Sequence, residues 1–176
     1  MSSIAAVCTP NASGGVAIVR ISGEDALTIA DRVFSPVSEK KLSDMKGYRA
    51  AYGKIHDGET VLDEGVAIVY RAPHSYTGEN VAEICCHGGL FVTKRLLRAV
   101  LSAGAVPAEA GEFTRRAFLN GRMDLSEAEA VMNVISAQGE QALAAANATL
   151  SGSVSRAVGN IAESLTNACR VDGLPR

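Results

Sequence analysis

The protein has 176 residues, of which 47% are apolar and 20% are charged, a composition that can bury the core of a folded domain. Its 17 basic and 19 acidic residues leave a net charge of −2, which excludes a strong positive field for non-specific binding of a polyanion. No segment approaches the ~18 uncharged apolar residues that a membrane span needs, so we expect a cytoplasmic protein with no membrane partner.

The chain begins with a pattern of strand followed by helix. Residues 16–21 are rich in β-branched side chains and alternate between two faces, one of which carries Arg20. Ser22 then matches an N-cap, with an acidic residue three positions later, and apolar residues recur at helical spacing over about 24–34. The pattern predicts a helix there and a loop over 36–46.

Strand patterns dominate the next part of the chain. Residues 48–55 and 65–70 are predicted to form a hairpin joined through the polar segment 56–64. Another strand is predicted over 81–86, with Gly88 and Gly89 opening a helix directly after it.

The second half of the chain changes to helix-forming sequence. One or two helical turns are expected over 114–119, and then Ser126 and Glu129 match a capping box at the start of an alanine-rich helix over 128–149. A second helix is predicted from a heptad of apolar residues, Val154, Val158, Ile161, Leu165 and Ala168.

These patterns predict an α+β protein with two parts. The first, residues 1–118, is an α/β domain, and the second, residues 119–176, is a partial helical domain with two helices whose apolar faces need partners.

Three charged residues stand where a structural pattern favours another residue. Arg20 lies in an apolar strand, so it either reaches water at the strand's end or pairs with an anion. Glu83 shares a strand face with uncharged neighbours, and a buried salt bridge and a ligand with paired N–H groups both satisfy it. Arg122, at the junction of the two parts, is either an exposed loop arginine or part of a ligand cleft. Arg115 and Arg116 are interpreted most simply as a solvated helix face, with a contribution to anion binding as the alternative.

The remaining reactive residues give weaker signals. The four cysteines, Cys8, Cys85, Cys86 and Cys169, form no CxxC pair, and we expect them to be reduced. His87 is either a catalytic base or a hydrogen-bonded turn residue, and the three histidines have no metal-ligand spacing. No GxxxxGK[ST] loop occurs, so this chain is not expected to bind GTP.

Five separated segments resemble the amino-terminal part of the tRNA-modification GTPase family MnmE, also called TrmE. They are residues 4–10, residues 14–23, Ser75-Tyr76-Thr77-Gly78-Glu79, His87-Gly88-Gly89, and the block from Gly111-Glu112-Phe113-Thr114 to Asp124-Leu125. They occur in the family's order and reach to about residue 135. Residues 11–13 depart from the family, which has a more glycine-rich loop there.

The resemblance implies a fold similar to the folate domain of the glycine-cleavage T-protein. It implies binding of a tetrahydrofolate derivative, 5-formyl- or 5,10-methylene-tetrahydrofolate, with the family's folate contacts falling on Arg20, Glu83 and Arg122. It also implies a homodimer whose whole protein modifies the wobble uridine of tRNA with the flavoprotein MnmG. GTP, Mg and K belong to a GTPase domain that the family carries and that we do not find in this sequence.

The leading functional hypothesis is a folate-binding and dimerisation module that is not catalytic alone. A second hypothesis is a free-standing folate-dependent one-carbon transferase, with Glu83 or His87 as proton carrier. A third is a structural dimer core whose folate pocket has decayed, against which the intact trio of Arg20, Glu83 and Arg122 argues.

Overall fold

The computed structural model of the protein describes residues 1–38 and 40–171. They belong to two compact units, Met1–Arg116 and Ala117–Arg176. The division lies close to residue 118, where the sequence places its boundary. The assignment of the units as a folate-binding domain and a partial helical domain stays a prediction.

The first unit is built on one mixed sheet. In chain order its elements are β1 (Ile4–Val7), β2 (Val16–Ser22), α1 (Ala26–Val33), β3 (Phe34–Pro36), β4 (Arg49–Asp57), β5 (Thr60–Tyr70), β6 (Val81–His87), α2 (Leu90–Ser102), β7 (Val106–Pro107) and most of α3 (Glu112–Leu119). The strands lie in the order β3-β4-β5-β6-β2-β1-β7. Neighbours are antiparallel except β1 and β7, which are parallel. A mixed sheet with helices agrees with the predicted α+β class.

The core lies between the sheet and helices α1 and α2. Strand β2 contributes Ala17, Val19 and Ile21 to this core, on the face that alternation predicts to be apolar. Its other face carries Arg20, directly opposite Glu83 of β6 in the antiparallel register. The same alternation that builds the core therefore brings two charged side chains together on the opposite face.

Two expectations about the start of this unit are wrong. Ser22 does not cap a helix, because its backbone still pairs with β1 and β6; Asp25 stands at the N-cap of α1 without a side-chain capping bond. The predicted loop 36–46 contains a 3-10 turn at Leu42–Asp44, where the Leu42 N–H donates to Asp31 Oδ1 at 2.6 Å. Phe34, predicted as the helix end, begins strand β3.

The predicted hairpin is present, but the polar segment 56–64 is not a loop. Strands β4 and β5 continue through it, pairing His56 with Val61 and Asp57 with Thr60. Gly58, with φ 61°, makes the turn. Polar residues are tolerated in these strand ends because several of their side chains remain partly exposed.

Within the described residues, the second unit contains three helices after α3, rather than the expected two. They are α4 (Leu125–Ser136), α5 (Glu140–Leu150) and α6 (Ser153–Val171). The alanine-rich stretch breaks at Ala137, whose backbone is extended, and Gly139 then stands at the N-cap of α5. The capping box is also two residues earlier than predicted. Asp124 Oδ1 accepts the Glu127 N–H at 2.8 Å, and Glu127 Oε2 accepts the Asp124 N–H at 2.7 Å.

Helix α6 presents an exposed apolar face. Val158, Ile161 and Leu165 of the predicted heptad are 60%, 61% and 62% exposed. Val154 and Ala168, the heptad's ends, lie outside the residues whose side chains the structure describes. Within the described part of the chain, no helix combines the length and apolarity that crossing a membrane requires.

Candidate functional site

The candidate site centres on an ion pair between Arg20 and Glu83. Nε and Nη2 of Arg20 both donate to Glu83 Oε1, at 2.8 Å and 2.7 Å. The side chains are 23% and 13% exposed, so the pair is largely withdrawn from water. The sequence leaves open whether Arg20 and Glu83 form ion pairs, and the structure shows that they pair with each other. Whether they also bind a ligand is not tested by this contact.

Glu83 has a second donor on its other oxygen. The Tyr70 hydroxyl donates to Glu83 Oε2 at 3.2 Å. Burial, and then the nearby Glu83 carboxylate, raise the pKa of Tyr70 above its ordinary value of 10.0, so this phenol keeps its proton and stays a donor. The carboxylate thus accepts three hydrogen bonds and retains acceptor capacity on Oε2.

The Arg20 guanidinium is contacted by two aromatic rings. Its central carbon lies 5.3 Å from the ring centroid of Tyr76 and 5.4 Å from that of Phe113. Such contacts are attractive when the cation lies over the ring face. Nη1 makes no hydrogen bond within the described residues, so one edge of the guanidinium keeps two N–H donors for an anion.

Next to this pair, Arg116 is buried between two carboxylates. Nη1 lies 3.1 Å from Glu79 Oε1 and Nη2 lies 3.0 Å from Glu112 Oε1, and the residue is 4% exposed. The interpretation of Arg116 as part of a solvated helix face is therefore wrong. Arg115 does fit that interpretation, since its side chain is 59% exposed. On a short helix, adjacent residues point in different directions, and here Arg116 faces the loop that carries Glu79.

The loop before β6 is fastened by the same network. Glu79 Oε2 accepts the Ser22 hydroxyl at 2.7 Å, and Ser22 Oγ lies 2.7 Å from Thr77 Oγ1. Ser75 Oγ donates to the Glu79 carbonyl at 2.6 Å. The segment 75–79, one of those that carry the family resemblance, is thus tied to strand β2 by buried polar bonds. Ser22, which the sequence interpretation assigned to helix capping, instead fastens this loop.

Glu112 provides a pH-dependent test of this network. The Glu109 N–H, and further the Arg116 guanidinium, lower the pKa of Glu112 below its ordinary 4.5 against the opposing effect of burial. A carboxyl whose pKa is lowered by folding stabilises the protein above its ordinary pKa, and this contribution disappears as the pH falls through the folded value.

We therefore expect Glu112→Gln to melt earlier than the parent protein at pH 7, and the difference to close as the pH is lowered below 4.5. Thermal melts of both proteins between about pH 7 and pH 3 measure the difference in melting temperature. This pH range includes the ordinary pKa values of carboxyl groups. Carboxyl groups outside this network contribute alike to both proteins, so their effect on the difference cancels. A difference that stays constant with pH contradicts the assignment.

Arg122 belongs to the second unit. It follows Gly121, whose φ is 68°, and its N–H donates to the Ala117 carbonyl at 2.8 Å to close the end of α3. The residue is exposed. The structure brings Arg20 and Glu83 together, and the participation of Arg122 in the same site stays a prediction.

His87 lies at the exposed end of β6. Its Nδ1 lies 2.8 Å from Asp63 Oδ1, and its N–H donates to Asp63 Oδ2 at 2.8 Å. Burial raises the pKa of Asp63, but the hydrogen bonds from His87 outweigh it and leave the pKa below the ordinary 3.8. Of the two alternatives for His87, a catalytic base or a hydrogen-bonded turn residue, the structure shows the hydrogen-bonded one.

Gly88, the next residue, is needed for a close approach of two backbone segments, because a Cβ there would lie 2.5 Å from the Gly14 carbonyl oxygen.

Residues 11–13, where the sequence departs from the family, lie away from the Arg20–Glu83 ion pair. Asn11 and Ala12 line a mostly apolar cavity of about 380 Å³ between β1 and α2, which neither Arg20 nor Glu83 lines. Among the described residues, Cys8, Cys85 and Cys86 are free thiols, and no cluster of three metal-ligating side chains occurs. The side chain of Cys169 lies outside the described residues.

A mixed sheet with helices α1 and α2 on one face and the Arg20–Glu83 ion pair on the other defines an α+β domain with a charged pair at the centre of its second face. The family model of the GTP-binding protein TrmE N-terminus matches residues 3–122, and the chain belongs to this family. It is 51% identical to the tRNA modification GTPase MnmE of Symbiobacterium thermophilum over 163 residues, which cover 92% of this chain and 36% of that protein.

Other relatives give the same result. The tRNA modification GTPase MnmE of Chlorobaculum tepidum is 48% identical over 167 residues, covering 94% of this chain and 35% of the relative. That of Moorella thermoacetica is 49% identical over 166 residues, covering 93% and 36%. The chain therefore spans about a third of the length of the curated relatives it matches, and it matches them over nearly all its own length. The resemblance read from the five motifs is confirmed.

The sequence interpretation missed most of the site's supporting residues. Tyr70, Tyr76 and Phe113 were given no role, and Arg116 was assigned to a solvated helix face, although Tyr76, Phe113 and Arg116 lie in the motifs that carry the resemblance. The signal for Arg116 was present: a charged residue within an apolar helix face needs partners, and Glu112 stands one helical turn before it.

Proposed function

We propose that this chain is the tetrahydrofolate-binding and dimer-forming module of a protein that acts in tRNA wobble-uridine modification. The observation that carries the proposal is the Arg20–Glu83 pair on the face of the sheet opposite α1 and α2. Membership of the TrmE family and the names of the relatives support the link to tRNA modification.

The chemistry of a reduced folate suits these residues. A pterin presents adjacent N–H donors, which a carboxylate oxygen accepts, and the remaining acceptor capacity of Glu83 Oε2 is suited to them. The glutamate tail presents carboxylates, which the unused Nη1 edge of Arg20 is suited to bind. The family resemblance alone adds Arg122 to the proposed folate contacts. A bound tetrahydrofolate would supply the one-carbon unit; the residues of this chain would bind and orient it. The similarity to the T-protein folate domain is part of this proposal.

Titration with 5-formyltetrahydrofolate tests the proposal. Calorimetry reports binding, and analytical ultracentrifugation of the same samples reports association. We expect saturable binding with a dissociation constant in the micromolar range, roughly −8 kcal/mol. No heat and no bound ligand at about 100 μM protein, a concentration well above that range, would overturn the folate assignment.

The one-carbon transferase hypothesis predicts a different result. It requires turnover of tetrahydrofolate with an amine donor by this chain alone. Glu83 already accepts three hydrogen bonds, and His87 is tied to Asp63, so neither stands free as the proton carrier that this hypothesis needs. The turnover assay separates the two functions. MnmG, tRNA and the GTP, Mg and K sites belong to the proposed function of a longer protein.

We infer that dimerisation uses the face of the sheet that α1 and α2 leave uncovered. Val16 of β2 and Tyr52 of β4 are 60% and 56% exposed on this face, and Ile18 and Ile68 are partly exposed beside them. Apolar side chains clustered on a sheet face mark an interaction surface. The apolar face of α6 is a second candidate surface.

Sedimentation measures the expected self-association. At about 100 μM, well above an ordinary micromolar affinity, we expect a dimer. Val16→Glu is expected to dissociate it, because the charge would be buried in the interface. Phe91→Glu is the matched control, since Phe91 is 73% exposed on α2, on the other side of the sheet. A monomer at this concentration contradicts dimerisation, and a dimer that survives Val16→Glu assigns it to another surface.

A further inference from the structure

We propose that Arg116 is a positioning residue of the Arg20–Glu83 site and that it acts through Tyr76 and Phe113. The inference rests on the proposed function for its ligand, although the positioning itself is a property of the protein alone. It assigns a role to a residue that touches neither Arg20 nor Glu83 by any hydrogen bond in the described structure.

The two rings that contact Arg20 come from different segments. Tyr76 lies in the loop between β5 and β6, and Phe113 lies in the first turn of α3. Neither segment is part of the sheet that positions Arg20. The spacing of the two rings about the guanidinium therefore depends on what fastens the loop to the helix.

Arg116 joins the loop to the helix. Its guanidinium pairs with Glu79, three residues after Tyr76, and with Glu112, the residue before Phe113. All three charged side chains are largely buried, with side-chain exposures of 5%, 15% and 9%. Glu79 also accepts from Ser22, two residues beyond Arg20 on β2, so the loop, the helix and the strand meet at one carboxylate.

A further bond joins the loop to α3 near the rings. The Tyr76 hydroxyl lies 2.9 Å from Thr114 Oγ1 and is exposed. It cannot replace the buried ion pairs, since a single exposed hydroxyl contact contributes little against water. Loss of Arg116 would leave Glu79 and Glu112 without their shared cation, and two facing carboxylates would push the loop and helix apart.

The consequence for a ligand is steric and electrostatic. With both rings in place, the guanidinium is confined and its Nη1 edge is directed. An arginine fixed in this way loses less rotamer freedom when it binds a planar or bidentate acceptor. Arg116 therefore contributes to affinity without contacting the ligand.

The first test uses no ligand. The Arg20 Nε–H signal in a proton–nitrogen correlation spectrum, assigned by its loss in Arg20→Lys, senses the ring currents of Tyr76 and Phe113. We expect Arg116→Met to shift it towards the position of a solvent-exposed arginine. Arg115→Met is the matched control, because Arg115 is the adjacent, exposed residue whose carboxylate contacts are 3.6 Å. An unchanged signal in folded Arg116→Met overturns the inference.

The second test is the 5-formyltetrahydrofolate titration of the same proteins. We expect Arg116→Met to weaken binding about tenfold, measured well below its melting temperature, and Arg116→Lys to recover part of the loss. Arg115→Met should bind like the parent protein. Equal affinities of the parent and Arg116→Met overturn the inference, whereas absence of binding by the parent overturns the proposed function and leaves the spectroscopic test to judge the positioning.

If Arg116→Met does not fold, a variant that leaves every charge in place still tests the inference. Phe113→Leu removes one ring and keeps both ion pairs of Arg116. It is expected to move the Arg20 signal and to weaken folate binding by a few fold, about the strength of one cation–ring contact. If Phe113→Leu leaves both unchanged, the rings do not position Arg20.

Discussion

Replacing Glu83 with glutamine is expected to weaken the binding of 5-formyltetrahydrofolate by about 30-fold to 1000-fold, roughly 2 to 4 kcal/mol. The amide keeps the volume of the carboxylate but replaces one acceptor oxygen with an N–H donor. Its oxygen would face the Arg20 donors, so its NH₂ group would face the pterin N–H groups and repel them. Calorimetric titration of the variant measures the loss.

The same substitution is expected to lower stability. Arg20 would keep an acceptor but lose its charged partner, and the pair is largely buried, so roughly 1 to 3 kcal/mol of unfolding free energy should be lost. Tyr70→Phe is the matched control: it removes one hydrogen bond to Glu83 Oε2 and leaves the ion pair in place. If Glu83→Gln melts earlier yet binds folate normally once refolded at low temperature, Glu83 is only a structural partner of Arg20.

Gly65→Ala is expected to be the most damaging single-methyl change in the first unit. Gly65 lies in β5 opposite Gly53 of β4, and a Cβ at position 65 would overlap the Cys85 carbonyl oxygen of β6. The obstacle is backbone in the middle of the sheet, which cannot rotate away as a side chain does. We expect a loss of about 3 kcal/mol, which lowers the melting temperature by roughly 10 °C.

Thermal melting followed by circular dichroism measures this effect. Gly15→Ala is the control, because a Cβ there meets no atom within 4 Å and the Gly15 backbone has no positive φ. The control is expected to change stability by less than about 0.5 kcal/mol. If Gly65→Ala has the same melting temperature as Gly15→Ala, strands β5 and β6 can move apart at little cost in free energy.

The sequence predicts the first unit better than the second for a physical reason. Alternation along β2 and β6 places Arg20 and Glu83 on one face correctly, because a strand has only two faces and the core claims one of them. The start of α4 was misplaced because Ser126 and Glu129 match the same capping pattern as Asp124 and Glu127. Local sequence alone does not choose between two matching registers two residues apart.

The partners of the candidate site were beyond local sequence. Arg116 and Glu79 are separated by 37 residues, and their contact depends on the return of α3 to the loop before β6. A charged residue on a short helix is usually solvated, and that general expectation misled the interpretation of Arg116. Ser22 was misread for a related reason, since its cap-like spacing is local whereas its hydrogen bonds to Thr77 and Glu79 are not.

The two edge strands bear on how copies of this protein can meet. Strands β3 and β7 have three and two residues, and each ends in proline, at Pro36 and Pro107. A short edge that ends in a residue without an N–H offers no template on which a foreign strand can add. Addition of a strand at β3 or at β7 is therefore disfavoured. In the dimer we propose, association through the uncovered face would stop at a closed pair, so we expect concentrated samples to remain clear and dimeric.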